Sequence, residues 1–291
     1  MTRLPQRPPR TRLVPLVAVA VLGLLVALPA TPAPASTVGG SGQVRYGVSR
    51  VKGFDACEAP TANKMQAWWN GSPYYDTSIY LGGVNRACDL QPNLTSSWVS
   101  TVHSQGWSFY LLWAGLQAPC VNDQSNEKMS SNLSLAAAQG SSEANAAWNA
   151  AHSLGFTGLN IIYYNMEAYN TTNTTCVNAV RAFINAWVDF FHQVGEKAGA
   201  YGGACSGVTN WTSITNPPDS VWIAAWNNDP DVWGLPCVNN GYWCCQQRVH
   251  QYAGTHSETW GGVALSIDND CAYGLVTPHG HSVIDYACTN E

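Results

Sequence analysis

Eight short β-rich runs, separated by stretches of helical character, span most of the chain, and this alternation restricts it to very few architectures. The runs are 51–55, 78–81, 108–113, 159–164, 199–201, 221–225, 248–252 and 263–267. Several are almost wholly apolar, as in Ile161-Ile162-Tyr163-Tyr164 and Val221-Trp222-Ile223-Ala224-Ala225. Strands buried on both faces read this way. Between them, 94–103, 142–153 and 177–197 carry apolar residues at three- and four-residue spacing. In the last, Val180, Phe183, Ile184, Trp187, Phe190 and Phe191 form one packing stripe. The pattern predicts an α/β fold: a closed parallel (β/α)8, TIM-like barrel over 51–274, in a single disulfide-stabilised domain. An open doubly wound sheet is the alternative, but no glycine-rich phosphate loop follows the first strand to support it. The polar stretch 121–139 reads as an irregular excursion after the third strand, and 275–291 as a C-terminal wrap.

The N-terminus has the pattern of an export signal. Arg3, Arg7, Arg10 and Arg12 precede an apolar run from Leu13 to Leu28, and Ala33-Pro34-Ala35 offers a cleavage site before Ser36. The run is shorter than the roughly 20 apolar residues of a spanning helix. Pro29, Pro32 and Pro34 also break it where an uncleaved anchor would continue. No twin-arginine pair is present, so the general secretory route is expected, with 36–50 a short lead-in to the domain. Removing the first 35 of 291 residues leaves 256, with nine basic side chains against 18 acids and a net charge of −9. Such a balance disfavours nucleic acid and anionic membrane, which require a basic surface. A neutral or weakly charged ligand fits better, taken up by a secreted, extracellular monomer with no stable membrane insertion.

All ten cysteines lie beyond the signal. In an oxidising compartment disulfides are the default, and no C-x-x-C pair suggests zinc. Cys57 and Cys88 follow consecutive strands and are candidates to pair. Cys244 and Cys245, being adjacent, are expected to take different partners.

On a barrel of this kind the C-terminal ends of the strands form one reactive rim. The residues falling there are Asp55, Trp113, Glu167, Tyr201, Trp226, Gln251 and Asp268. With only 18 acids in 291 residues, three at strand ends suggest chemistry, and opposed carboxylates suit glycosyl transfer. Each acid also has a structural alternative. Asp55 can cap the following helix. Glu167, after an aromatic run, is expected to be buried, as a general acid requires, or else to be structural. Asp268-Asn269-Asp270 can be a polar turn or an incomplete calcium loop. The 13 Trp and 13 Tyr are a heavy load, several beside the rim, including Trp68, Trp69, Trp113, Trp226 and Trp260. Most are expected to be core, with Trp113 and Trp226 facing a ligand. His279-Gly280-His281 lacks companion ligands and reads as a solvated turn. A serine-hydrolase elbow is absent, and neither a metal nor a cofactor is expected.

A set of motifs occurs in order. They are Gly53-Phe54-Asp55-Ala56-Cys57-Glu58-Ala59-Pro60, Tyr80-Leu81-Gly82-Gly83, Gln117-Ala118-Pro119-Cys120, Tyr164-Asn165-Met166-Glu167-Ala168-Tyr169, Val221-Trp222-Ile223-Ala224-Ala225-Trp226 and His250-Gln251-Tyr252-Ala253-Gly254. Together they closely resemble the glycoside-hydrolase-like domain of exported actinobacterial proteins, a domain of unknown function. That family is similar in turn to the Chalaropsis-type lysozymes, β/α barrels that cleave peptidoglycan. The resemblance implies that Asp55 is the aspartate ending the first strand, Glu167 the catalytic acid of an Asp-x-Glu motif and Asp268 the aspartate of the last strand. Trp226 and Gln251 would line the sugar groove, and the partner would be peptidoglycan or a related glycan of the cell envelope. The first acid of the motif is Asn165 here, and an amide cannot act as a carboxylate base. Two expectations follow. In one, the N-acetyl group of the substrate is the nucleophile, with Asn165 orienting it and Glu167 acting as acid and then base. In the other, the barrel binds glycan without turnover or serves a structural role in the envelope.

Overall fold

The computed structural model describes residues 45–285 and 288–289; the export signal at 1–35, and 36–44 of the lead-in, lie outside the described residues. The strands are β1 (Gly47–Ser49), β2 (Lys52–Asp55), β3 (Asp76–Gly82), β4 (Ser108–Trp113), β5 (Ile161–Asn165), β6 (Lys197–Gly203), β7 (Ser220–Ala224), β8 (Arg248–Trp260) and β9 (Val263–Val276). The helices are α1 (Ala62–Gly71), α2 (Ser96–Gln105), α3 (Leu133–Ser153) and α4 (Thr174–Gln193), with a π-helical turn (Ala204–Val208) running into the short α5 (Thr209–Trp211).

Strands β2 to β8 pair with their chain neighbours in parallel. Strand β9 pairs antiparallel with both β8 and β2, which closes an eight-stranded barrel, and β1 adds to the far end of β9. The expected all-parallel (β/α)8 barrel is therefore corrected to a mixed one. Four long helices follow β2 to β5, a short helical segment follows β6, and β7 reaches β8 through an irregular loop. The reason for the reversal is local. Parallel neighbours need a crossover, whereas antiparallel ones can be joined by a tight hairpin. Gly261 (φ 56°) and Gly262 (φ 75°) supply the positive φ that such a turn demands. Beyond the rim the hairpin leans onto α1, where Trp68 Nε1 donates to the Val263 carbonyl at 3.0 Å.

Period-two alternation along each strand divides the apolar residues between two layers. On β4, Tyr110 and Leu112 point into the barrel, where they meet Ile161, Tyr163, Trp222 and Val249. Phe109, Leu111 and Trp113 point outward to the helices. Both faces are buried, which is why the strands lack a polar alternation. The helices begin at side-chain caps from Thr61, Thr95, Asn132 and Asn173, so Asp55 is not a cap. Helix α3 starts well before residue 142, and the irregular excursion ends at Asn132 rather than 139. Gly140, inside the helix, is a packing position: a Cβ there would collide with the Phe183 carbonyl of α4.

Four disulfides join Cys57 to Cys88, Cys120 to Cys176, Cys205 to Cys237 and Cys271 to Cys288. Cys244 and Cys245 are both free and exposed, against the expectation that each would have a separate partner. The segment after β9 crosses the N-terminal floor of the barrel. Thr277 Oγ1 accepts from the Ile161 amide at 2.9 Å, and the Gly280 amide donates to Ser108 Oγ at 2.9 Å. His281, expected in a solvated turn, is buried with Nε2 2.9 Å from Asp76 Oδ1. Among the described residues no helix is long and apolar enough to cross a membrane.

Candidate active site

The side chain of Gln251 organises the rim. It sits on β8 next to a bulge, where the register with β9 shifts between Gln251 and Ala253, and it is 2 % exposed. Its Nε2 donates to Asp55 Oδ2 at 2.8 Å and to Asp268 Oδ2 at 3.0 Å. Its Oε1 accepts from Tyr201 OH and from Trp226 Nε1, both at 2.9 Å. One amide thus uses both donors and both lone pairs to hold two acids, a phenol and an indole from four different segments of the chain.

Asp55 ends β2 and pairs in register with Asp268 of β9, so two carboxylates face each other across one strand boundary. Asp55 is buried, and Tyr80 OH donates to its Oδ1 at 3.1 Å. Burial, reinforced by the charge of Asp268, raises its pKa to about 7. Asp268 is half-buried and is likewise raised by burial, against a hydrogen bond from Thr255. Deeper in the barrel, Asp270 is fully buried, takes a 2.8 Å hydrogen bond from Trp222 Nε1 and is raised well above the usual carboxylate range by burial and then by Asp55. The Asp268-Asn269-Asp270 sequence is consequently neither a turn nor a calcium loop. It is strand, with both acids inside the barrel and Asn269 outside, donating to Tyr74 OH at 2.8 Å.

The second half of the site stands at the end of β5. Asn165 is buried; its Nδ2 donates to Glu167 Oε1 at 3.1 Å, and its Oδ1 has no partner among the described residues. Gln117, fully buried in the β4–α3 connection, binds this corner from below. Its Oε1 accepts from the Glu167 amide at 2.7 Å and its Nε2 donates to the Asn165 carbonyl at 2.8 Å. Glu167 itself is exposed, so the burial expected of it is not found. It lies close enough to Tyr201 for its charge to oppose ionisation of that phenol, which links it to the Gln251 network.

Of the aromatic residues placed at the rim, Trp226 is 65 % exposed and Tyr201 faces inward, but Trp113 does not belong to the group. It points outward from β4, is 9 % exposed and donates through Nε1 to Glu143 of α3. Strand parity is the reason: Trp113 shares the outward face with Phe109 and Leu111. Trp68 is fully buried beneath the hairpin. Tyr80, Gln117 and Asp270 stand beside the candidate site residues and were not among those that the sequence singled out. The signal for Tyr80 and Asp270 was the same period-two parity, each lying two positions along a strand from another inward residue. A groove of about 500 Å³ opens beside the acids, lined by Asp55, Lys64, Tyr80, Thr255, Leu265 and Asp268 among others. Glu167 and Trp226 lie outside its lining.

Several solved structures share this fold. An uncharacterised protein of B. stearothermophilus aligns at 16 % identity with a TM-score of 0.51, covering 76 % of this chain and 95 % of its own. The Mycobacterium tuberculosis Tat-secreted protein Rv2525c, crystallised with L-tartrate, aligns at 14 % identity with a TM-score of 0.50, covering 77 % and 96 %. The modular autolysin LytC of Streptococcus pneumoniae gives 14 % identity and a TM-score of 0.50, covering 78 % of this chain and 46 % of its own, so the likeness involves less than half of that enzyme. No curated protein matches the sequence. The model of the Rv2525c-like, glycoside hydrolase-like domain matches residues 66–272, which takes in every rim residue except Asp55. With most of its length matched, the chain belongs to the Rv2525c-like glycoside hydrolase-like domain family.

Proposed function

We propose that this protein is a secreted glycosidase acting on a β-linked, N-acetylated glycan of the cell envelope, with the acetamido group of the substrate as nucleophile. The observation that carries the reading is the corner at β5: an exposed glutamate whose backbone is pinned by Gln117 and one of whose oxygens is held by Asn165. That arrangement leaves the second oxygen of Glu167 to protonate a departing glycosidic oxygen. The acetamido carbonyl then closes on the anomeric carbon, and the Glu167 carboxylate takes a proton from the water that reopens the ring. Asp55 is poorly suited to be the nucleophile, because Tyr80 and Gln251 occupy both its oxygens. It positions the sugar and, with Asp268, sets the field of the groove. Trp226 offers an exposed indole face to the apolar side of a sugar ring. The four disulfides accord with an oxidising, extracellular setting.

One observation favours a second reading, a barrel that binds glycan without cleaving it: Asn165 supplies an amide where a two-carboxylate mechanism needs an acid. Incubating the full secreted protein with purified peptidoglycan separates the two. Soluble fragments from wild type that disappear in Glu167→Gln, with pelleting retained in both, support the hydrolase; loss of at least 100-fold, or about 3 kcal/mol, is expected for removing a general acid. Pelleting without fragments supports the binder, and fragments of equal yield from Glu167→Gln would remove Glu167 from the mechanism. A gain of activity in Asn165→Asp would identify the amide as the change that silenced a direct mechanism.

A further inference from the structure

Eight of the ten cysteines are paired within the chain, and the two left over are sequence neighbours, Cys244 and Cys245. They lie in the β7–β8 connection, away from the rim. Two residues of left-handed backbone, Trp243 (φ 49°) and Gln246 (φ 64°), bracket the pair. The connection around them is firmly anchored. Trp243 Nε1 donates to the Pro218 carbonyl at 2.7 Å, and the Cys205–Cys237 disulfide fixes the loop upstream. On the other side, the guanidinium of buried Arg248 donates to the carbonyls of Val232, Asn239 and Tyr242 at 3.0, 2.8 and 2.6 Å. Within that frame the two thiols are exposed and in hydrogen-bond contact, and the contact with Cys244 raises the Cys245 thiol above its ordinary pKa.

An exposed dithiol is out of place in a chain whose other thiols are all oxidised. No third free thiol exists in the sequence to compete for either member. We propose that Cys244 and Cys245 bond to one another in the secreted protein, a fifth disulfide that closes a small ring around the peptide bond between them. The oxidant is a disulfide-bearing carrier of the export pathway. The thiolate of one cysteine attacks the carrier disulfide and forms a mixed disulfide. The thiolate of its neighbour then displaces the carrier, which leaves as a dithiol with the two electrons and two protons that the protein has lost. A ring between adjacent residues closes almost no chain, so it contributes little loop entropy to global stability. Its effect is local: it removes two reactive thiols from the surface and fixes the turn between Trp243 and Gln246.

The test uses the full secreted protein, purified without reductant, denatured and alkylated. Trypsin with chymotrypsin cuts after Arg248 and Trp243 and releases residues 244–248. The expected peptide is unalkylated and two hydrogens lighter than the dithiol form, while Cys244→Ser and Cys245→Ser each yield one alkylated thiol. The Cys244→Ser/Cys245→Ser double variant is expected to keep the wild-type Tm. Alkylation of both cysteines in wild type, or recovery of the peptide bridged to Cys237 or to a second copy of the chain, would overturn the proposal.

Discussion

Burial decides what Asp55 can be. Enclosed at the end of β2, with Asp268 across the strand boundary, it holds a proton up to about pH 7 where a free aspartate would release it near 3.8. Folding therefore favours the neutral form. The stability this contributes is complete below the unfolded pKa and is lost as pH rises through the folded one, because the folded state must then ionise a buried carboxyl that the unfolded chain ionises freely. Thermal unfolding followed from pH 4 to pH 8 is expected to show falling stability in wild type, by up to about 4 kcal/mol. Asp55→Asn, which cannot ionise but keeps an oxygen for Gln251 Nε2, should show a markedly flatter profile. Parallel profiles for the two proteins would mean that Asp55 is not the group responsible. At this scale the sequence was partly legible. Strand ends pointed to Asp55, Glu167, Gln251 and Asp268, because polar residues at the ends of apolar runs stand out, whereas Asn165 was singled out only by the family resemblance. The amide network that joins them was not legible, because Gln117 reaches Glu167 and Asn165 from a loop whose path is set by tertiary packing.

Helix α3 illustrates how an element can be misread by a sound local rule. The Asn, Ser and Gln residues of 121–139 read as an irregular excursion with helical character only from 142, and glycine, as at Gly140, disfavours helix interiors by about 1 kcal/mol. Asn132 instead caps a helix that runs straight through Gly140, and α3 and α4 approach so closely there that no side chain fits. What local propensity counts as a cost is repaid by contact between two long helices, a term invisible without the partner. Gly140→Ala raises intrinsic helix propensity but drives a methyl group into the Phe183 backbone. The packing effect is expected to win, with a net loss of about 1–3 kcal/mol in urea unfolding. A stabilised variant would mean that the helices separate without cost. The hairpin of β8 and β9 carries the same lesson for topology. Gly261-Gly262 turns the chain straight from β8 into β9, and the expectation of eight equal strand-helix units left no room for that antiparallel return.

A polar column runs through the whole barrel. Asp268 and Asp55 stand at the rim, Asp270 below them, and Asp76 at the floor, all buried or half-buried and all facing inward. Each acid is held by a donor from a different part of the chain: Gln251 and Tyr80 above, Trp222 in the middle, and Ser49, Tyr110 and His281 below. The lowest of these ties is made by the segment after β9, which reads in sequence as a C-terminal wrap with a solvated turn at 279–281 and in the structure serves as the barrel floor. His281 is the residue that makes the floor specific, because its Nε2 meets the one Asp76 oxygen that Ser49 and Tyr110 do not reach. Replacing it with leucine keeps an apolar body of similar bulk but leaves that buried oxygen without a donor, at an expected cost of about 1–3 kcal/mol. Adding Asp76→Asn to the leucine variant should recover part of the loss, since an amide oxygen is cheaper to leave unpaired than a carboxylate. Equilibrium unfolding of the two single variants and the double variant measures the coupling directly. Additive losses would show that the tail covers the barrel without contributing to its polar interior, and a recovered double variant would make the last segment of the chain a working part of the same column that ends in the acids of the rim.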